Sequence, residues 1–358
     1  MKTKAGRNRS GSRGRILIIC GICTVVLVAA IGIFLAAGVY EDNFGKRFET
    51  YEPLSRSLEE FRGLQLKECV FLSDRGQRLA GYTYYKDNVS PRGVLVIAHG
   101  FGGGGHNSYM DVADYFASNG YIVFAYDATG NDKSEGDSVR GLPQGVVDLD
   151  YALRYVKADE SMKELPIVLF GHSWGGYAVA NVLRLHPDVK AVVSVSGFNR
   201  SADLIQSQGE QFMGKAIAVM MPFFNLYERF RFGKVSSCTA MDGFESSDAG
   251  VMIIHSSDDE VVPPKYGYDL YYEKYRDDGR FEFIRYENRG HNYIYYTDTG
   301  RAYMDEFNAE FKEHFGDLPE IPPEEKAAYL HEHLDKARLY EIDLELFGKM
   351  LAFYDKYI

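Results

Sequence analysis

The residues best suited to chemistry stand at Gly171-His172-Ser173-Trp174-Gly175-Gly176, between an apolar run at 167–170 and a stretch of helical character at 177–185. A Gly-x-Ser-x-Gly string is weak by itself: with Gly at 36 of 358 positions, chance supplies roughly 0.2 copies in such a chain. Its setting sharpens it. A serine on a sharp strand-to-helix turn is forced into a strained backbone that tolerates only tiny neighbours, which Gly171 and Gly175 provide, and its hydroxyl stands at a helix N-terminus. The alternative is a glycine-rich crossover turn with an incidental serine.

A serine hydroxyl is a poor nucleophile until a base takes its proton, so a histidine held by a carboxylate must follow later in the chain. Gly290-His291-Asn292 lies in the loop after an apolar run at 281–286 and supplies the base, His291. His331 and His333 sit two apart on a predicted helix, and His172 lies inside the turn itself. The acid comes from the loop after the run at 251–255, where Asp258 and Asp259 compete and the one not used is free to cap the following helix. Backbone N–H groups are the natural donors to a developing oxyanion. Trp174 N–H is one; the other is expected from His99-Gly100-Phe101-Gly102-Gly103-Gly104-Gly105, with Phe101 N–H as donor.

Those segments, together with Asp127-Ala128-Thr129-Gly130-Asn131-Asp132-Lys133-Ser134-Glu135-Gly136, resemble the α/β-hydrolase family over about residues 66–315. The likeness is to its esterases and its serine aminopeptidase-like, lysophospholipase-like branch. The resemblance implies Ser173 as nucleophile, His291 as general base and acid, and Asp259 as orienting carboxylate, the spacing from His255 to Pro263 favouring Asp259 over Asp258. Asp132 departs from the family pattern, which has a second glycine there, and that bears on substrate preference. The aspartate-nucleophile branches, haloalkane dehalogenases and epoxide hydrolases, resemble the chain less because Ser173 stands at their attacking position.

The positioning elements read as a rhythm. Segments 68–73 and 79–86 form a hairpin across Asp74-Arg75-Gly76-Gln77. Short Val/Ile/Leu runs at 93–98, 121–126, 167–170, 191–195, 251–255 and 281–286 then alternate with helix-length segments. Such runs are strands buried on both faces, and the helices between them are right-handed crossovers, giving an α/β fold with a mostly parallel central sheet. The domain is expected over 67–316. The long apolar gap at 198–250, with Met220, Met221, Phe223 and Phe224, reads as a helical lid or as extra core helices, and 317–358 as a docked C-terminal helical extension.

The chain is 46% apolar and 25% charged, enough for a large core built by burial. Its net charge of −11 argues against nucleic acid as a partner. Residues 1–40 hold six cations and no acid, whereas the rest carries 34 basic against 51 acidic residues, a balance of −17. Residues 16–40 contain no charge and as a helix reach roughly 37 Å, enough to cross a hydrocarbon core of about 30 Å. We expect a basic cytoplasmic tip at 1–15, a lipid-bilayer anchor at 16–40 in preference to a cleaved signal, a tether at 41–66 and an extracytoplasmic body in the cell membrane's outer compartment. Cys69 and Cys238 either pair or remain free thiols. No residue pattern calls for a metal or an organic cofactor. The functions to weigh are a serine hydrolase of carboxylic esters, an exopeptidase holding its substrate's ammonium group with Asp132, Glu135, Asp258 or Glu210, and a non-catalytic binding domain. Tyr293, Tyr295, Tyr296, Phe223 and Phe224 either line an acyl pocket or are plain core.

Overall fold

The computed structural model describes residues 9–316, 318 and 321–358. Lys2, Lys4 and Arg7 of the basic tip lie outside the described residues. A long helix α1 (Arg9–Phe44) precedes the hairpin β1 (Leu64–Leu72) and β2 (Arg78–Lys86). Strand and helix then alternate through β3 (Gly93–Ala98), α2 (Met110–Ser118), β4 (Tyr121–Tyr126), α3 (Pro143–Ala158), β5 (Ile167–His172), α4 (Trp174–Val182) and β6 (Ala191–Val195). After α5 (Ser201–Met213), α6 (Ile217–Phe232) and α7 (Ala240–Glu245) the rhythm resumes with β7 (Gly250–Ser256), α8 (Tyr268–Tyr275) and β8 (Phe281–Tyr286). The chain closes with α9 (Asp298–Phe315), α10 (Pro323–His333), α11 (Lys336–Leu339) and α12 (Leu344–Tyr354).

The strands form one sheet of eight in the order β1-β2-β4-β3-β5-β6-β7-β8. β1 pairs antiparallel with β2 and β2 with β4, and every pairing from β4 to β8 is parallel. Side-chain alternation along each buried strand feeds two cores. Val94, Val96 and Leu169 face the layer of α3, α4, α7 and α8. Leu95, Ile97, Val168 and Phe170 face α2 and α12. Putting β5 at the middle of the sheet brings its carboxyl end, and Ser173 just beyond it, under loops from both neighbours.

Two boundaries, at 41–66 and 198–250, differ from the sequence reading. Residues 41–66 are not a free tether. The Arg47 guanidinium donates to the carbonyls of Asp132, Ser134 and Gly136 at 2.6–3.0 Å, and Phe48 N–H donates to Gly130 O at 3.0 Å. The C-terminal region is part of the domain: Phe347, Met350 and Phe353 of α12 fill the second core, and the Tyr354 hydroxyl donates to Leu169 O at 2.7 Å. The gap at 198–250 divides, since Ala240 and Phe244 of α7 join the main core. Only α5 and α6 form an insertion. Ile217, Met221 and Phe224 of α6 pack there with Ala36 and Tyr40 of α1. Cys69 and Cys238 are both free and half-buried.

At that junction the Tyr40 hydroxyl and the Ser201 hydroxyl both donate to Glu228 Oε1, at 2.7 and 2.6 Å. Burial pushes the Glu228 carboxyl from its ordinary 4.5 up to about 7. An unfolded chain ionises this group near 4.5 while the folded chain still holds its proton, so folding stability falls as pH rises from there to about 7. The span corresponds to about 3 kcal/mol. Glu228→Gln should flatten this dependence, and chemical-denaturant midpoints of the full chain in detergent between pH 4.5 and 8 check it; equal slopes in both proteins would overturn the assignment.

Candidate active site

Ser173 sits on the turn joining β5 to α4 with φ of 57° and ψ of −116°, a conformation costly for any residue with a Cβ. Two glycines make the turn possible. A Cβ on Gly171 would fall 2.2 Å from Gly175 O, and one on Gly175 would fall 1.9 Å from Ala98 O. Ser173 N–H is held by Val195 O at 2.8 Å. The hydroxyl therefore projects from the end of the central strand and cannot fold back.

His291 and Asp259 arrive from loops after β8 and β7. His291 Nε2 lies 2.8 Å from Ser173 Oγ, and His291 Nδ1 lies 2.7 Å from Asp259 Oδ2. Asp259 Oδ1 accepts the N–H groups of Val261 and Val262 at 3.0 and 2.8 Å. His255 Nε2 lies 3.3 Å from Asp259 Oδ2 and 2.8 Å from Val262 O. Burial alone would raise the Asp259 carboxyl, but hydrogen bonds from His255, His291 and Val262 N–H outweigh it and hold the group well below the carboxylate range. A buried anion is thus fixed against the far side of an imidazole whose near side meets a hydroxyl. Such an arrangement can withdraw the hydroxyl proton and stabilise the resulting imidazolium.

Asp258, the competing acid, does not cap a helix. Its Oδ1 accepts the Ser256 hydroxyl at 2.5 Å and Gly290 N–H at 3.0 Å, while Ser256 Oγ accepts Arg289 N–H at 2.8 Å. It clasps the acid-bearing loop to the histidine-bearing loop.

The rings of Phe101 and Trp174 pack edge to face with centroids 5.7 Å apart. Among the described residues neither backbone N–H has an acceptor within the protein. The glycine loop is braced from beneath. Asp132 has φ of 38°, and its carboxylate accepts Thr50 N–H at 2.6 Å and the Thr50 hydroxyl at 2.8 Å. Thr50 Oγ1 in turn accepts Gly105 N–H at 3.3 Å. The departure at Asp132 thus has a positioning role for the loop, through a segment that looked like a tether. Phe101 also packs edge to face on Phe44 and Phe48.

Sequence reasoning missed two positioning groups, Tyr109 and His172. Gly100 N–H donates to Tyr109 Oη at 2.9 Å, and that hydroxyl lies 3.3 Å from His172 Nδ1. His172 Nε2 lies 2.9 Å from His291 O. Burial first, and then the neighbouring His291, push His172 down to about 3, so the ring is neutral. A neutral ring with Nε2–H donating to His291 O keeps Nδ1 as acceptor for the Tyr109 hydroxyl. One relay therefore ties the glycine loop to the backbone of His291. The signal was present in the sequence only as a histidine beside the serine. Tyr295 and Tyr296 are buried in the core against α12 and Phe224 against α1; they are core, not pocket lining. From the insertion, Gln208 Nε2 donates to Val261 O at 2.9 Å, which rests α5 on the acid-bearing loop.

Residues 89–242 match the family described as serine aminopeptidase, S33. A monoacylglycerol lipase of Mycolicibacterium smegmatis is 31% identical over 36% of this chain and 46% of its own length. A monoglyceride lipase of Rattus norvegicus is 32% identical over 26% of this chain and 30% of its own. The matched stretch thus spans less than half of either relative. Among solved structures, an esterase of Pyrococcus furiosus superposes with a TM-score of 0.52 at 17% identity, covering 72% of this chain and 92% of that one. An acylaminoacyl peptidase of Pyrococcus horikoshii gives 0.50 at 17% identity over 65% of this chain and 38% of its own. Sheet order, the strained serine turn and the superposition on solved structures agree: the chain has the α/β-hydrolase fold.

Proposed function

We propose that the protein is a serine hydrolase of carboxylic esters working through an acyl-enzyme, held at a membrane by α1. The observation that carries this reading is the continuous line from Ser173 Oγ to His291 Nε2 at 2.8 Å and from His291 Nδ1 to Asp259 at 2.7 Å. Ser173 Oγ attacks the ester carbonyl carbon while His291 Nε2 takes its proton. The N–H groups of Phe101 and Trp174 receive the oxyanion. Collapse expels the alcohol, which takes the proton from His291. A water then gives its proton to His291 as it attacks the acyl carbon, and Ser173 leaves with that proton as the acid is released.

The bond cleaved is an ester on two grounds. The relatives of M. smegmatis and R. norvegicus are lipases by name. A substrate ammonium group needs a free carboxylate, and each candidate is engaged. Asp132 holds Thr50, Glu135 accepts Arg78 N–H at 2.9 Å, and Asp258 clasps Gly290. Glu210 accepts Gln206 at 2.9 Å and faces Lys265 at 3.8 Å. The family match described as serine aminopeptidase keeps the exopeptidase as the second reading. A binding domain without activity would have no use for a strained serine turn opposite two unfilled N–H donors. The charge asymmetry across 1–40 supports a cytoplasmic N-terminus and an extracytoplasmic body, with α5 and α6 as a lid over the site.

The full chain in detergent should turn over a series of acyl esters and leave aminoacyl amides intact. Ser173→Ala should lower kcat by about 10⁴-fold or more without moving the melting temperature. Amide cleavage lost with Ser173→Ala would establish the exopeptidase instead, and ester turnover surviving that substitution would sink the mechanism. His172→Phe removes the donor to His291 O, whose loss is worth about 1–3 kcal/mol. We expect kcat to fall about 10- to 100-fold with KM nearly constant, measured by steady-state kinetics on the preferred ester; an unchanged kcat would refute the relay.

A further inference from the structure

The loop that carries the proposed donor Phe101 N–H has little of its own to hold it. Gly102, Gly103, Gly104 and Gly105 bring no side chains. Gly102 and Gly103 stand at φ of 90° and 115°, where glycine has many alternatives of similar energy. The loop is pinned at its two ends, Gly100 N–H donating to Tyr109 Oη at 2.9 Å and His106 N–H to Asp127 Oδ1 at 3.1 Å. Between these points, among the described residues, the backbone of 101–104 makes no hydrogen bond within the protein. The space beside it is open as well. A Cβ on Gly102 would meet nothing within 4 Å, and one on Gly103 would meet only Glu49 O, at 3.8 Å.

What holds the middle of the loop comes from outside the family-matched residues 89–242. Residues 44–50, leaving α1, are seated along 130–140. Phe48 N–H donates to Gly130 O at 3.0 Å, and Phe48 O accepts Asp132 N–H at 3.1 Å. Val139 N–H donates to Lys46 O and Arg140 N–H to Phe44 O, both at 3.1 Å, and the Arg47 guanidinium adds its three carbonyl acceptors. That seating presents three side chains to the glycine loop. Phe44 and Phe48 meet the Phe101 ring edge to face at centroid distances of 5.5 and 4.9 Å. Thr50 Oγ1 accepts Gly105 N–H at 3.3 Å while donating to Asp132 Oδ2 at 2.8 Å. The Phe101 residue is itself 36% exposed, and two of the three aromatic contacts that fix its direction come from this segment.

A backbone N–H stabilises an oxyanion only when fixed about 2.7–3.1 Å from the developing charge, and a misplacement of about 1 Å costs on the order of 10²-fold in rate. We propose that Phe44, Phe48 and Thr50 are positioning residues for Phe101 N–H, so that the rate of acyl transfer is set in part by how the segment leaving α1 is seated. This rests on the catalytic reading of Ser173 and Phe101 and is independent of what surrounds α1. Phe44 is the last residue of α1 and packs on Phe101 directly. A shift of that helix against the body therefore reaches the donor with no intervening group.

The test is steady-state kinetics of the full chain in detergent on the preferred ester, beside two ligands. One is a trifluoromethyl ketone, whose carbonyl carbon bonds to Ser173 Oγ as His291 takes the serine proton, leaving an oxyanion. The other is the matching ether, which fills the site without one. Thr50→Val removes the hydroxyl and keeps the shape. We expect kcat to fall about 10- to 100-fold with KM within about twofold, the ketone Ki to rise by the factor that kcat loses, and ether binding to hold. Thr50→Ser keeps the hydroxyl and should restore kcat. Phe48→Ala leaves the main-chain bonds of residue 48 and the Thr50 contacts in place; it should move kcat and ketone binding in the same sense, and it carries the test if Thr50→Val fails to fold. Parent kcat in both Thr50→Val and Phe48→Ala would overturn the proposal. So would a lower kcat with the ketone Ki unchanged, the mark of a merely structural loss. A parent chain that neither binds the ketone nor turns over an ester would overturn the catalytic reading and this inference together.

Discussion

The site depends on one close approach, the packing of α4 against the ends of β3 and β5 with no side chain between them. Gly171 and Gly175 leave room for backbone to touch backbone, and only then can Ser173 be held at φ of 57° with its hydroxyl clear of the sheet. The strain costs on the order of 1–3 kcal/mol and persists because strand pairing on both sides of β5 and the helix beyond it fix the chain on either side of the turn. The parallel neighbours of β5 follow from the same geometry. Their carboxyl ends all open on one edge of the sheet, so loops from β3, β7 and β8 meet over the serine.

Around that turn the polar groups are satisfied in pairs of loops rather than one loop at a time. Asp258 and Ser256 join the acid-bearing loop to the histidine-bearing loop, Tyr109 and His172 join the glycine loop to His291, and Asp132 with Thr50 joins the glycine loop to the segment after α1. A buried donor or acceptor left alone costs more than its hydrogen bond is worth, so each such clasp resists opening and transmits position. His172 shows how burial sets chemistry: kept neutral, it both donates and accepts, which a charged imidazolium could not do.

The apolar helix and the insertion are coupled by similar means. Tyr40 and Ser201 meet Glu228 in a buried polar contact, Glu41 pairs beside it with Tyr227 and Arg231, and Gly32 and Ala36 let α6 lie close. Small residues on one helix face and polar anchors at one end specify where two apolar helices meet, a task that featureless greasy surfaces perform poorly. The segment from Phe44 to Thr50 carries this attachment on to the glycine loop, so the N-terminal helix, the insertion and the site share a continuous set of contacts.

The sequence by itself determined the sheet, placed Ser173 and His291, and narrowed the acid to two neighbours. Runs such as 93–98 and 191–195 are apolar on both faces and bounded by turn residues, a pattern only a covered strand satisfies, and Gly-x-Ser-x-Gly between such a strand and a helix has one local geometry. His291 could be named because it lies in a loop directly after a strand of that rhythm, and the loop after 251–255 narrowed the acid to Asp258 or Asp259, with the family resemblance favouring Asp259. Tertiary structure separates partners that the residue types themselves leave open. Asp258 and Asp259 are neighbours of identical type, and only the position of Gly290 gives one to a loop clasp and the other to the histidine. Residues 41–66 look polar and irregular because their hydrogen bonds go to carbonyls some 85 positions away, and which face of the sheet the docked α12 covers is set only by the packed sheet. The same holds for α6, whose length of apolar residues fits a lid or a core helix equally. Its packing is decided only once α1 lies against it.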